Sequence, residues 1–224
     1  MDDAWVAPTI AGLWALFLVT HVGLSSERMR PHLIARLGTR GFLGVYSVVA
    51  LAIFVPLVRI YATHKHAGDF LWYGSAYSWM RPPVYLVMAL AMTLVIGSFL
   101  NPSPASLAPG TGKIRGVLRI TRHPLFMGVA IFGLLHLCVA RVHSADLVFF
   151  AGMPVVGLLG CWHQDLRNLA SNNPEFRSFH AETSFLPFGR GGLRGLLDRP
   201  IVLAAGLVAT LLVRIFHPVL FGGA

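Results

Sequence analysis

Six apolar stretches, each near the roughly 20 residues that cross a bilayer as a helix, constrain this chain more than any other feature. They fall near Trp5–Gly23, Phe42–Tyr61, Val84–Leu100, Pro124–Ala140, Asp146–Trp162 and Ile201–Phe221. In hydrocarbon a backbone must satisfy its own polar groups, so runs of this length predict membrane-spanning helices. Only 12% of the residues are charged, against about 25% in soluble domains. The expected fold is all-α, a polytopic membrane protein of about six transmembrane helices in one bundle. One domain is expected over residues 1–224, with the last helix at 201–221.

The net charge is +9. On a soluble chain this would suggest nucleic acid, but here the basic residues stand between apolar runs, which excludes that class and points to topology and lipid headgroups. Arg28, Arg30, Arg36 and Arg40 follow the first run. Lys113, Arg115, Arg119 and Arg122 precede the fourth, and Arg167, Arg177, Arg190, Arg194 and Arg199 precede the sixth. The alternate linkers hold only Lys65, Arg81 and Arg141. The positive-inside rule therefore predicts an inner-membrane protein with these three basic linkers in the cytoplasm and both termini in the periplasm. Met1-Asp2-Asp3 is acidic where a signal peptide is basic, so the first span is read as retained. Cys138 and Cys161 form no CxxC or CxxCH, which excludes a disulfide framework and a c-type haem attachment.

Between the runs, Asn101–Gly112 reads as a loop, Lys113–Ile120 as an interfacial segment, and Gln164–Phe185 as a polar helical stretch interrupted at Asn173-Pro174. Arg190–Gly195 reads as a glycine-rich turn. No repeat and no soluble domain is evident.

The candidate chemistry gathers at Arg119–Gly128, where Thr121 can cap a helix whose first turn accommodates Pro124. Arg122 and His123 are expected at the membrane–water boundary. By residue count His21, His123 and His163 reach the cytoplasmic side from three spans, with Arg122, Asp165, Arg167, His180 and Glu182 in the adjoining linkers. Arg122, His123, His163 and Asp165 are the catalytic candidates. His136 lies roughly 20 Å further along its span than His123, toward the outer leaflet, and about 140° around the helix. The two therefore cannot ligate one metal from the same helix. Intramembrane histidine is costly and a functional candidate, because it can ligate while neutral. Each of these histidines is thus read either as a cofactor ligand or as a neutral side chain bonded to a neighbouring carbonyl. His32, His64, His66, His143, His180 and His217 are mostly assigned solvated roles.

Gly116-Val117-Leu118-Arg119-Ile120-Thr121-Arg122-His123-Pro124, Leu135-His136 and Cys161-Trp162-His163-Gln164-Asp165-Leu166-Arg167 together resemble the NnrU family, which is associated with bacterial denitrification and is related to the zeta-carotene isomerase of plants and cyanobacteria. His21-Val22-Gly23-Leu24-Ser25-Ser26, then His64 with Leu71-Trp72, then Thr183-Ser184-Phe185-Leu186-Pro187-Phe188 resemble further segments of that isomerase. The resemblance covers about residues 21–188. For the isomerase branch it implies haem b with axial ligands at His21 and His136, His123 being the other histidine considered as cofactor-binding. It implies redox- or isomerase-type activity on a hydrophobic, carotenoid-like substrate, or support of nitrogen-oxide respiration.

A second set, Arg122-His123-Pro124 and Gly128 with Asp165, Leu169, Asn173-Pro174, Phe176 and Leu186-Pro187, resembles the integral membrane methyltransferases that use S-adenosylmethionine. A third class is a non-enzymatic assembly factor with a respiratory-complex partner. In every reading the lipid bilayer is the surroundings and no nucleic acid is bound.

Overall fold

The computed structural model describes residues 3–74, 78–105, 113–139, 141–190 and 192–221. The Met1-Asp2 start, residues 106–112 of the loop, Ala140 and Gly191 lie outside the described residues. The fold is all-α and polytopic, as the apolar runs require. Five helical segments are long and apolar enough to cross a membrane: Asp3–Leu24, Met29–Thr63, Arg81–Leu100, Ser144–Ala170 and Pro200–Val219. The fourth run forms a shorter apolar helix, Pro124–Val139.

In chain order the elements are α1 (Val6–Leu24), α2 (Met29–Thr63), β1 (Phe70–Tyr73), α3 (Arg81–Leu100), α4 (Val117–Ile120), α5 (Pro124–Val139), β2 (Arg141–His143), α6 (Ser144–Ala170), α7 (Pro174–Glu182), α8 (Arg194–Leu197) and α9 (Pro200–Phe221). They divide into two compact units. Met1–Ala76 with His136–Arg167 forms the first, and Tyr77–Leu135 with Asn168–Ala224 the second.

In the first unit α1 and α2 run antiparallel, and their rings fix the register. Trp5 meets His64 with centroids 5.0 Å apart, Trp14 and Phe17 meet Phe54 at 6.1 and 6.0 Å, and His21 meets Tyr46 at 4.4 Å. Such offset and edge contacts add to the burial of each ring. On α6, Gly152 lies against the Trp14 indole, which leaves no room there for a Cβ. The basic segment after α1 is helical rather than a simple linker. It joins the second span through a break at Gly38, whose φ of 69° suits only a residue without a side chain.

The sequence predicted no strand. The structure pairs β1 with β2 antiparallel, Phe70 opposite His143 and Tyr73 opposite Arg141. Both strands are too short to show alternation, and the pairing joins segments about 70 residues apart in the chain.

In the second unit α3 packs along α9, with small residues at the closest approach. A Cβ on Gly206 would stand 2.8 Å from the Thr93 backbone nitrogen, and one on Gly128 of α5 would stand 2.6 Å from the Ala91 carbonyl oxygen. Close backbone approach of this kind is how membrane helices gain dispersion contacts where lipid supplies no hydrophobic drive. The interruption expected at Asn173-Pro174 is present. The Asn173 side chain accepts from the Glu175 and Phe176 amides and so caps α7. Phe176 and Phe179 then bury against Leu118 and Ala105.

Candidate functional site

The stretch Ile120–His123 is knitted to Thr183–Phe188 inside the second unit. The Arg122 amide donates to the Ser184 carbonyl at 2.9 Å and the Phe188 amide to the Ile120 carbonyl at 2.9 Å. Thr121 Oγ1 donates to the Phe185 carbonyl at 2.6 Å, and Ser184 Oγ donates back to Ile120 at 3.1 Å. Arg122 Nη1 donates to the Thr183 carbonyl at 3.1 Å, with its guanidinium 5.4 Å from the Phe185 ring centre. The two motifs therefore close one turn over the start of α5.

Arg122 and His123 are buried, 7% and 4% exposed. One detail of the sequence reading is corrected, the place of Thr121. The residue before Pro124 is His123, whose carbonyl takes the first helical bond from Met127 at 3.0 Å. Thr121 orders the preceding turn instead, accepting from the His123 amide at 3.2 Å. Glu182 and His180 lie nearby in sequence on α7, where Glu182 is exposed and accepts from Ser178 at 2.9 Å.

The first unit holds polar side chains at both ends of its helix pair. Near the end of α1 the His21 ring lies between Phe17, at 4.7 Å and nearly parallel, and Tyr46. The His21 carbonyl accepts from Ser25 Oγ at 2.7 Å and from the Tyr46 hydroxyl at 3.3 Å. Arg167 on α6 donates to the Ser25 carbonyl at 3.3 Å, which ties α6 to this level. His163, one turn earlier on α6, has a buried Nε2 that makes no hydrogen bond among the described residues. Asp165 is buried at 4% exposure.

At the other end His136 stacks on Phe150, centroids 4.6 Å apart. Phe150 packs edge-on to Tyr61 at 5.5 Å, and Tyr61 stacks on Phe149 at 3.8 Å. The Tyr61 hydroxyl donates to Asp146 Oδ1 at 2.9 Å, while Asp146 Oδ2 accepts from the His143 amide at 2.9 Å and meets His66 Nδ1 at 2.9 Å. Asp146 is 1% exposed. Sequence reasoning left His66, His143, Asp146, Tyr61 and Tyr46 out of its candidates. The available signal was an aspartate in the first turn of an apolar span, three residues after a histidine.

These placements bear on the haem pair. His21 sits at the level of Tyr46, and His136 sits beside the Phe150 that packs on Tyr61. Fifteen residues of α2 separate those two tyrosines, about 22 Å at 1.5 Å per residue. His21 and His136 therefore meet different parts of the unit, His21 the Tyr46 ring and His136 the Phe150 that packs on Tyr61. His123 belongs to the second unit. Cys138 is exposed and Cys161 buried, and neither forms a disulfide among the described residues.

The helices and intramembrane polar residues define a polytopic α-helical membrane protein. The NnrU protein family model matches residues 9–224, and the chain belongs to that family. It is similar to the chloroplastic 15-cis-zeta-carotene isomerase of Arabidopsis thaliana, 25% identical over 193 residues, which covers 81% of this chain and 50% of that protein. The Zea mays protein of the same description is 26% identical over 184 residues, covering 79% and 48%. The chain thus spans about half the length of the curated relatives it matches. No solved structure matches.

Proposed function

We propose that this NnrU-family protein acts within the bilayer as an isomerase on a carotenoid-like polyene. The observation that carries the reading is the similarity to two 15-cis-zeta-carotene isomerases along about four-fifths of the chain. The ring row of α1 and α2 supports it. Trp14, Phe17, His21, Tyr46 and Phe42 follow one another with centroids 4.4–6.1 Å apart. Trp14, Phe42 and Tyr46 are buried in this row, and the partly exposed Phe17 and His21 are the rings against which a flat conjugated chain can lie. These helices would hold the polyene and exclude water.

Haem b enters this proposal as the cofactor implied by the resemblance, with His21 and His136 as the residues that would hold it. Bound there, it would supply electron-transfer or Lewis-acid chemistry that the side chains lack. Support of nitrogen-oxide respiration, with a respiratory-complex partner, rests on the family association alone. The methyltransferase reading is weaker, because Arg122 is taken up in the turn against Thr183 and Phe185. Calorimetry with S-adenosylmethionine should show no binding, and a stoichiometric complex would move the assignment to that class.

The test is expression in a dark-grown host that accumulates 15-cis-zeta-carotene. Chromatography should show the pool shifting to another geometric isomer only when the protein is present. An unchanged pool, with the protein verified in the membrane, contradicts the proposal.

A further inference from the structure

Asp146 is oversupplied for a helix cap. Its Oδ2 accepts from the His143 amide as the third residue of α6, one arm of a capping box, which needs no imidazole. Yet two imidazoles are turned onto the same oxygen. His66 Nδ1 stands 2.9 Å and His143 Nδ1 3.5 Å from Oδ2. At 3.5 Å the second contact is too long to count as a good hydrogen bond. His143 Nδ1 is buried and has no hydrogen-bond partner among the described residues. One donor atom from each of the three residues lies within 4.8 Å of the others.

The two nitrogen–oxygen separations are compatible with a shared ion. Two donors each about 2.1 Å from one ion are separated by about 3.0 Å at a right angle and about 3.4 Å at the tetrahedral angle. The two observed nitrogen–oxygen separations bracket that range. The positions are also held by the backbone. His66 has φ 60° and Gly68 φ 81°, and the turn is pinned where the Ala145 amide donates to the Ala67 carbonyl at 3.1 Å and the Ser144 amide to Asp69 at 3.0 Å. A non-glycine residue kept in the left-handed region is strained, and such positions cluster at functional sites. The Tyr61 hydroxyl on Asp146 Oδ1 is the outer hydrogen bond that orients a ligating carboxylate.

We infer that His66, His143 and Asp146 form a binding site for a divalent first-row transition ion, oriented by Tyr61. Two imidazoles and one carboxylate on one side of an ion suit zinc or iron(II), with further positions left open, rather than magnesium or calcium. His66 is half-exposed and Asp146 is not, so the open positions face the His66 side. The site does not depend on the isomerase reading, since neither His21 nor the polyene enters it.

The test uses untagged, detergent-purified full-length chain, stripped with chelator and then titrated with Zn2+ by calorimetry and with Co2+ by visible absorption. One ion per chain is expected, with His66→Ala weakening Zn2+ binding at least tenfold. His66 is exposed enough for that variant to keep the fold, which its thermal unfolding would confirm. Tyr61→Phe should weaken binding about 10- to 100-fold while retaining one-to-one stoichiometry. His32→Ala, at an exposed histidine outside the site, should bind as the unaltered chain does. No Zn2+ binding by the unaltered chain, equal binding by His66→Ala, or Mg2+ binding as tight as Zn2+ would each overturn the inference.

Discussion

Thr121 carries two roles in one side chain: its hydroxyl donates to Phe185 and accepts from the His123 amide. It is fully buried, so loss of the hydroxyl removes both bonds from a site that water does not reach. Thr121→Val, nearly equal in shape, should cost about 1–3 kcal/mol, read as a lower unfolding temperature in detergent. An unchanged midpoint would mean the turn is held by its other bonds alone. The importance of Thr121-Arg122-His123 was legible in the sequence, but its role was not. The groups that bury it come from Thr183–Phe188, some 60 residues later, and no local pattern announces such a pairing. The Asp146 centre was hidden for the same reason, since His66 arrives from 80 residues away through a left-handed turn. For the haem proposal, the reduced-minus-oxidised spectra of His21→Ala and His136→Ala are decisive. Loss of the haem signal from both variants is expected if the two residues hold it, and an unchanged His136→Ala spectrum would remove that residue as a ligand.

Among the elements, the spans were the most legible part. Their lengths follow from hydrophobic thickness, and the structure returns five of the six as long apolar helices, with the fourth run shorter. Boundaries were less legible where a helix continued past its apolar run. α6 extends to Ala170 through Gln164, Asp165 and Arg167 because its inner face still packs, with Cys161 and Asp165 buried. α2 begins in the basic segment at Met29 and is broken only by Gly38. Packing between elements was not legible at all, since it depends on which glycine meets which neighbour. On α9, Gly206 opposes the Thr93 backbone and hydroxyl of α3. Thr93 itself is pinned to the Ala89 carbonyl at 2.7 Å. Gly206→Val should therefore push the two helices apart and cost about 1–3 kcal/mol. Gly12→Val on α1, where a Cβ meets nothing within 4 Å, should leave thermal stability in detergent almost unchanged. Equal effects from the two would contradict close α3–α9 packing.

At the scale of the molecule, the basic linkers predict orientation. Thirteen Lys and Arg residues stand in the linkers after the odd-numbered runs, against three in the others, and that bias sets topology. Reporter fusions after Arg40 and Arg199 should read cytoplasm, and one after Arg141 should read periplasm. The reverse pattern would invert the placement of both termini. Orientation also decides from which side an ion would reach His66, which the fusion after Arg141 answers directly, since that residue lies two before His143. The central claim, isomerisation of a polyene inside the bilayer, is tested most directly with purified protein in liposomes loaded with 15-cis-zeta-carotene and kept in the dark. The isomer ratio is followed by chromatography, in parallel with and without added haem and dithionite. The account predicts conversion to another geometric isomer of unchanged mass, at a rate proportional to the protein added. An unchanged ratio under all of those conditions, from protein that is folded and correctly inserted, would contradict it.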